Sequence, residues 1–184
     1  MRTILVHKLY DFWDKKITIR DFENWFLSNI NQLESDLPEE DYLNLVNFNY
    51  FEKYPDLNLI NTFEYLLDWS DYERKKIIFI LESLKNKDES FIRAIYEIYE
   101  MSFRYSFFNE MAYKCGIVSA YDFDKVEEYI VSLSENEKNH FVEIFYDEAN
   151  SYSKKIIKWI DEGKITFDVK REANRLIYSY NDFN

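Results

Sequence analysis

Apolar residues recur every three or four positions along most of this 184-residue chain, which is the periodicity of amphipathic α-helices. The first apolar stripe consists of Leu5, Leu9, Phe12 and Trp13, and the second of Phe22, Trp25 and Phe26. Between the stripes the pattern stops at Lys15 and Lys16, and Thr18 supplies a cap for the next helix. The opening segment therefore predicts a helical hairpin with an aromatic seam, in which Trp13 and Trp25 are buried.

Glycine and proline, which interrupt helices and are common in the turns of sheet proteins, occur only twice each. We therefore predict an all-α fold: a single-domain, multi-helix bundle of about eight to ten helices that covers residues 1–184. The segment 90–113 is apolar around most of its circumference, so it is predicted to be the central helix of the bundle. The predicted helices are about 2–14, 18–29, 39–48, 56–68, 70–86, 89–114, 121–132, 135–149, 151–162 and 167–179.

Four capping boxes mark predicted helix starts. In each of them a serine or threonine hydroxyl caps the first turn, and an acid three residues later caps in return. The acid also interacts favourably with the positive end of the helix dipole, so each box strengthens the helical interpretation. The four pairs are Thr18–Asp21, Ser70–Glu73, Ser119–Asp122 and Ser134–Glu137.

A short sequence pattern occurs twice. Residues 158–168, "KWIDEGKITFD", echo residues 11–21, "DFWDKKITIRD", because in both a tryptophan precedes an acidic turn that continues into Lys, Ile and Thr. The echo indicates either a recurring way to build a corner between two helices or a true internal duplication. We favour the first interpretation.

The first quarter of the chain carries a family resemblance. Residues 5–50 contain an amphipathic helix, a short turn that ends in "KIT" (16–18), an acidic-aromatic "FENW" (22–25) and the pattern "YLNL" (42–45) before Tyr50. In this order the parts resemble the N-terminal region of small bacterial immunity proteins, and of their uncharacterised relatives, encoded beside polymorphic or contact-dependent toxins. The resemblance implies that the protein binds a cognate toxin.

One residue departs from that family pattern. Lys15 stands where such sequences commonly have glycine, whereas the echo near the C-terminus keeps a glycine at Gly163. The resemblance does not indicate which toxin is bound.

Charge points independently to a basic partner. The formal net charge is −12, and the excess is confined to two segments: residues 34–68 hold nine acids and one base, and residues 122–148 hold nine acids and two bases. Clustered acids repel nucleic acids and anionic membranes, and they steer a basic partner to fast association. Nuclease toxins are basic where they hold phosphates, so an acidic inhibitor can occupy that surface. The ordinary alternative is that the acids only keep the protein soluble.

The resemblance and the charge together predict an immunity protein that neutralises a cognate, basic, nuclease-type toxin domain by stoichiometric occlusion. For the three tyrosines in the predicted set, a place in the core is an equally good interpretation. The predicted partner-binding residues are Glu39, Glu40, Asp41, Tyr42, Asp122, Asp124, Glu127, Glu128, Tyr129, Tyr146 and Asp147. Two further functions stay open: an acidic, nucleic-acid-mimicking inhibitor of a defence or phage enzyme, and a helical adaptor without an inhibitory role.

An enzymatic function is not expected. The two glycines are isolated in the sequence, so the chain lacks a phosphate-cradling loop. Glu137-x-x-His140 is half of a di-iron motif, but His7, the other histidine, has no glutamate three residues before it. We therefore interpret Glu137 as a capping acid, His140 as a surface residue and the lone Cys115 as a small buried apolar residue. No catalytic residue, metal or cofactor is predicted.

The sequence also predicts where the protein acts. It lacks the run of roughly 18 to 20 apolar residues that a membrane helix needs. The apolar run within residues 1–13 is too short for a signal peptide and contains His7 and Lys8. We expect a cytoplasmic protein that contacts neither membranes nor nucleic acids, and we favour a monomer.

Overall fold

The computed structural model describes residues 2–114, 126–172 and 175–182. The helices are α1 (Arg2–Trp13), α2 (Ile19–Ser28), α3 (Ile30–Asp36), α4 (Glu39–Val46), α5 (Pro55–Thr62), α6 (Trp69–Ser83), α7 (Glu89–Ser102), α8 (Asn109–Lys114), α9 (Val126–Ser132) and α10 (Glu135–Asp161), with 3₁₀ helices at Glu64–Leu66 and Ser106–Phe108. Two strands, β1 (Ile165–Glu172) and β2 (Arg175–Asp182), pair in an antiparallel sheet. The protein is therefore predominantly helical, as predicted, but it is not all-α.

The helix predicted at 167–179 is wrong, because these residues belong to the β-hairpin. In β1 the side chains of Ile165, Phe167 and Val169 are buried or half-buried, and the residues between them are exposed. This alternation has a period of two residues, which fits a strand with one covered face and does not fit a helix. The alternation is present in the sequence and distinguishes this segment from the helical ones.

The chain divides into two compact units. The first comprises Met1–Asp68 with Arg171–Arg175, and the second comprises Trp69–Lys170 with Leu176–Asn184. The single domain predicted from the sequence stays a prediction.

In the first unit, α1 and α2 form the predicted helical hairpin. Its buried seam consists of Leu5, Leu9, Phe12, Phe22 and Phe26. The rings of Phe12 and Phe22 meet edge to face, with their centroids 6.1 Å apart. Trp13 and Trp25 are only half-buried, so their predicted burial is wrong. The inner stripe of α1 ends at Phe12, and Trp13 lies at the edge of that stripe.

The turn after α1 is closed by two backbone hydrogen bonds. The N–H of Lys15 donates to the carbonyl of Phe12 at 3.0 Å, and the N–H of Lys16 donates to the carbonyl of Asp11 at 2.9 Å. This is a Schellman motif, in which the residue after the helix cap adopts a positive φ. Lys15 is this residue, and its φ is 58°.

The echo of this turn, in the second unit, has the same hydrogen bonds. The N–H of Gly163 donates to the carbonyl of Ile160 at 3.1 Å, and the N–H of Lys164 donates to the carbonyl of Trp159 at 2.8 Å. Gly163 has a φ of 70°. The chain then enters β1, so the interpretation of the echo as a corner between two helices is wrong.

Short helices fill the rest of the first unit. α4 lies where it was predicted, whereas α3 was not predicted and is anchored by the buried Leu33. The helix predicted at 56–68 is shorter than expected, because α5 ends at Thr62 and the chain continues into a 3₁₀ helix.

In the second unit, α7 has the buried circumference predicted for the central helix. It contacts α6, α8, α9 and α10. Its buried residues are Phe91, Ile92, Ala94, Ile95, Tyr96, Ile98 and Met101. The single helix predicted at 90–113 is nevertheless wrong, because α7 ends at Ser102 and the chain passes through an extended Tyr105 before the 3₁₀ helix and α8. Tyr105 is fully buried, so tertiary packing overrides the local helical pattern there.

Tyr105 joins an aromatic cluster to the buried carboxylate of Glu73, which also pairs with the exposed Arg104. Its hydroxyl donates to the fully buried carboxylate of Glu73 at 2.8 Å, and the guanidinium of Arg104 lies 3.5 Å from the same carboxylate oxygen. Burial and the negative charge of Glu73 raise the pKa of the Tyr105 hydroxyl above its ordinary value. Five other aromatic rings surround that of Tyr105. The distances from its ring centroid to theirs are 5.4 Å for Phe107, 6.4 Å for Phe108, 5.7 Å for Phe167, 6.3 Å for Tyr178 and 5.2 Å for Tyr180.

The predicted capping boxes have different outcomes. The boxes Thr18–Asp21 and Ser134–Glu137 are confirmed. The box at Ser70 is wrong, because its hydroxyl accepts the backbone N–H of Val169 at 2.9 Å while the Glu73 side chain turns to Tyr105. The pair Ser119–Asp122, like Cys115, lies outside the described residues.

α10 is the longest helix that the structure describes. It merges the two helices predicted at 135–149 and 151–162, and its exposed His140 confirms the interpretation of this histidine as a surface residue. Neither α10 nor any other helix in the described ranges is long and apolar enough to span a membrane.

Candidate protein-binding surfaces

The predicted acids at the start of α4 are exposed, with one exception. Glu39 and Glu40 occupy the first turn of the helix, behind Pro38, which makes no side-chain capping bond. Their carboxylates lie near the unpaired N–H groups at the positive end of the helix dipole, which favours negative charge. Neither carboxylate has a hydrogen bond or ion pair with any residue that the structure describes.

Exposed apolar side chains continue the same face of α4. Leu43 is 46% exposed and Val46 is 45% exposed. Leu43 follows Glu39 by four residues and Glu40 by three, and Val46 follows Leu43 by three, so the four residues share one side of the helix. We call this set, Glu39, Glu40, Leu43 and Val46, the α4 acidic face. It combines uncompensated negative charge with exposed apolar area.

The remaining predicted residues of α4 point elsewhere. Asp41 is 2% exposed, and its carboxylate accepts a hydrogen bond from the hydroxyl of Tyr65. This burial removes Asp41 from the accessible surface. Tyr42 is half-buried, and Leu45, which belongs to the family-like pattern, is fully buried in the core.

The other acids of the segment 34–68 meet few cations. Glu34 and Asp56 are exposed and Glu52 is half-buried, and none of the three has a hydrogen bond or ion pair within the described chain. Lys53, the one base of this segment, lies 5.1 Å from the ring centroid of the neighbouring Tyr54. Glu64 is engaged by the guanidinium of Arg171.

The second acidic segment is described only in part. Asp122 and Asp124 lie outside the described residues. Glu127 and Tyr129 belong to α9, and their side chains are not among those described. Glu128 is exposed on the same helix.

α10 carries the rest of that segment. Glu143 and Asp147 are exposed four residues apart, and Ile144 beside them is 56% exposed. We call these three residues the α10 acidic face. The two carboxylates have no ion pair among the residues that the structure describes.

Tyr146, predicted to bind a partner, serves mainly in packing. It is half-buried, its hydroxyl donates to the backbone carbonyl of Lys85 at 3.1 Å, and the ammonium of Lys87 lies 4.3 Å from its ring centroid. Its ring also lies 6.0 Å from that of the buried Phe91. The core interpretation of this tyrosine therefore fits its contacts better.

Sequence reasoning missed the apolar part of both faces. Leu43, Val46 and Ile144 occupy exposed helix positions, where polar residues are the rule. The signal for Leu43 and Ile144 is a helical spacing of three residues from an exposed acid, Glu40 and Asp147 respectively. Among the described residues, no group of three or more His, Cys, Asp or Glu side chains is arranged to hold a metal ion.

Comparisons of the chain with models of protein families, with curated proteins and with solved structures find no match.

Proposed function

We propose that this protein is an immunity protein that binds and neutralises a cognate toxin domain, basic and of nuclease type. The observation that carries the proposal is the α4 acidic face, where two exposed acids without cationic partners begin the helix and two exposed apolar side chains continue the same side of it. This face lies within residues 5–50, the segment that resembles bacterial immunity proteins. Surface and resemblance thus point to the same part of the chain.

The chemistry of the α4 acidic face suits a basic protein partner. Interfaces combine an apolar centre that excludes water with a polar rim that sets orientation. Leu43 and Val46 supply exposed apolar area, and Glu39 and Glu40 supply negative charge at one end of it. A nucleic acid would be repelled by these carboxylates, whereas a phosphate-binding protein surface would be attracted to them.

Neutralisation follows from occupation of the toxin surface. The acids steer the encounter, and the bound immunity protein covers or adjoins the basic site at which the toxin holds its substrate. The α10 acidic face offers a second contact of the same kind. The protein acts stoichiometrically, as a monomer without catalysis, in the cytoplasm of the cell that produces the toxin.

Co-expression with the product of the adjacent gene tests this function. We expect the two proteins to purify together in a one-to-one ratio, and the immunity protein to restore growth of cells that produce the toxin domain. A protein that co-purifies without restoring growth would fit the adaptor function instead. Binding of a phage or host defence enzyme, without binding of the neighbouring gene product, would favour the nucleic-acid mimic.

A further inference from the structure

The first unit contains a cleft of about 970 Å³ between the turn after α1 and the start of α5. The residues that line it include Trp13, Lys15, Lys53, Tyr54, Pro55 and Asp56. Most of this wall is aromatic or aliphatic. Small-molecule sites typically have volumes of roughly 300 to 1,000 Å³ and apolar walls with a few polar groups.

The polar groups of the cleft favour an anion. Lys15 and Lys53 line it together with one acid, Asp56. Lys53 is the single base in the segment 34–68, which contains nine acids, and two of the three charged residues that line the cleft are cations. α5 also begins there with Pro55 and has no side-chain cap, so backbone N–H groups of its first turn are available to an anion.

The backbone at Lys15 provides a separate argument. Lys15 and Gly163 close Schellman turns with matching hydrogen bonds and φ values of 58° and 70°. Glycine adopts this conformation without steric strain, whereas lysine does not. The chain has glycine in the turn of the second unit and a strained lysine in the turn whose side chain lines the cleft. This difference indicates that the Lys15 side chain has a role there.

We propose that the cleft binds a small aromatic carboxylate, with its ring against Trp13 and Tyr54 and its carboxylate between Lys15 and Lys53. The two ammonium groups provide charge-assisted hydrogen bonds, and the aromatic walls exclude water from the ring. This site is independent of the proposed binding of a toxin, because its charge is opposite to that of the α4 acidic face.

Binding of 1-naphthaleneacetate, compared with its neutral counterpart 1-naphthaleneacetamide, tests the site by calorimetry and ligand-observed NMR on the full chain. The net charge of −12 repels anions in general, so nonspecific binding would favour the amide. We expect the carboxylate to bind about tenfold more tightly than the amide, or more. Equal or tighter binding of the amide, or no saturable binding of the carboxylate, would overturn the proposal.

Variants identify the residues responsible. Lys15→Gly removes the charge while keeping a residue suited to φ 58°, and Lys53→Gln removes the second charge. Each change is expected to weaken carboxylate binding several-fold and to leave amide binding unchanged. Lys16→Gln is the matched control, because Lys16 is adjacent in sequence, does not line the cleft and pairs with Asp14 at 2.8 Å. If both cleft variants bind the carboxylate as the Lys16→Gln control does, the lysines do not form the site.

Discussion

The acidic segments 34–68 and 122–148 each contain nine acids, yet their described side chains meet different partners. In the second segment several acids are compensated or have structural roles. Glu135 pairs with Lys138 at 3.2 Å, Glu148 pairs with Lys114 at 2.9 Å, and the Glu137 carboxylate accepts the backbone N–H of Ser134, the cap residue of α10. In the first segment Asp36, Asp41 and Glu64 likewise have structural contacts. The acids without such a contact within the described chain number five in the first segment (Glu34, Glu39, Glu40, Glu52 and Asp56) and three in the second (Glu128, Glu143 and Asp147).

This difference separates charge that maintains the fold from charge that is available to a partner. Exposed ion pairs and caps neutralise part of the negative potential of α10. Both acidic faces keep their two charges, but the α4 acidic face has two exposed apolar side chains, Leu43 and Val46, where the α10 acidic face has one, Ile144. The number of acids is the same in the two segments. The contacts that their side chains make in the structure favour the α4 acidic face as the main binding surface.

The largest expected effect on stability concerns Asp41, the buried member of the first segment. Replacing it removes a carboxylate that accepts a hydrogen bond from Tyr65, so Asp41→Ala should lower the free energy of unfolding by about 1 to 3 kcal/mol. Glu40→Gln, its exposed neighbour, should change it by less than about 0.5 kcal/mol. Urea denaturation of both variants measures the contrast. Equal effects would show that burial does not distinguish Asp41 from the acids of the face.

A smaller effect is expected at the cap of α10. Ser134→Ala removes the hydroxyl that caps the first turn and should lower the free energy of unfolding by about 1 kcal/mol. Ser151→Ala, at an exposed position of the same helix, is the matched control. The first turn of α10 should lose amide-exchange protection only in the Ser134 variant. Similar loss in the control would contradict the capping role.

The same cap predicts a pH dependence. Hydrogen bonds from the hydroxyl of Ser134, and then from its backbone N–H, lower the pKa of the Glu137 carboxyl below its ordinary value. A lowered folded-state pKa stabilises the fold above the pKa of the unfolded chain, and this contribution is lost as the pH falls through the folded-state value. NMR titration should therefore give Glu137 a low pKa that rises in Ser134→Ala. An unchanged pKa in that variant would contradict the assigned cause.

Local sequence patterns predicted much of the helical structure, but the segment after the turn at Gly163 was predicted as a helix and is a strand. The turns at Lys15 and Gly163 have the same bonds, yet one leads into α2 and the other into β1. The residues after the turn decide this: Thr18 is followed by a capping acid and a helical stripe, whereas Ile165 begins an alternation with a period of two. Both signals are local, so the strand was predictable.

Other features depend on residues that are distant in sequence. Tyr105 interrupts the predicted central helix because it packs on Glu73, 32 residues earlier, and no nearby glycine or proline marks the break. The buried Asp41 likewise has its hydrogen-bond partner, Tyr65, 24 residues later in the sequence. Of the candidate surfaces, the acidic part was predictable from composition, whereas the exposure of Leu43 and Val46 required the packing of α4.

The central claim is that the α4 acidic face meets a basic toxin, and binding kinetics with the neighbouring gene product test it most directly. The variants compared are Glu39→Gln/Glu40→Gln on α4, Glu143→Gln/Asp147→Asn on α10, and Glu100→Gln/Asp161→Asn as a control. The control pair removes two exposed acids from stretches with balanced charge, and none of these six acids has a partner among the described residues. Rates are measured at about 50 mM and about 300 mM salt.

We expect the α4 variant to associate about tenfold more slowly than the wild type at low salt, with a smaller difference at high salt, because exposed interface charges act mainly on the encounter. The α10 variant should lose only a few-fold in rate, and the control should match the wild type. If the α4 variant associates as fast as the control at both salt concentrations, the α4 acidic face is not the binding surface.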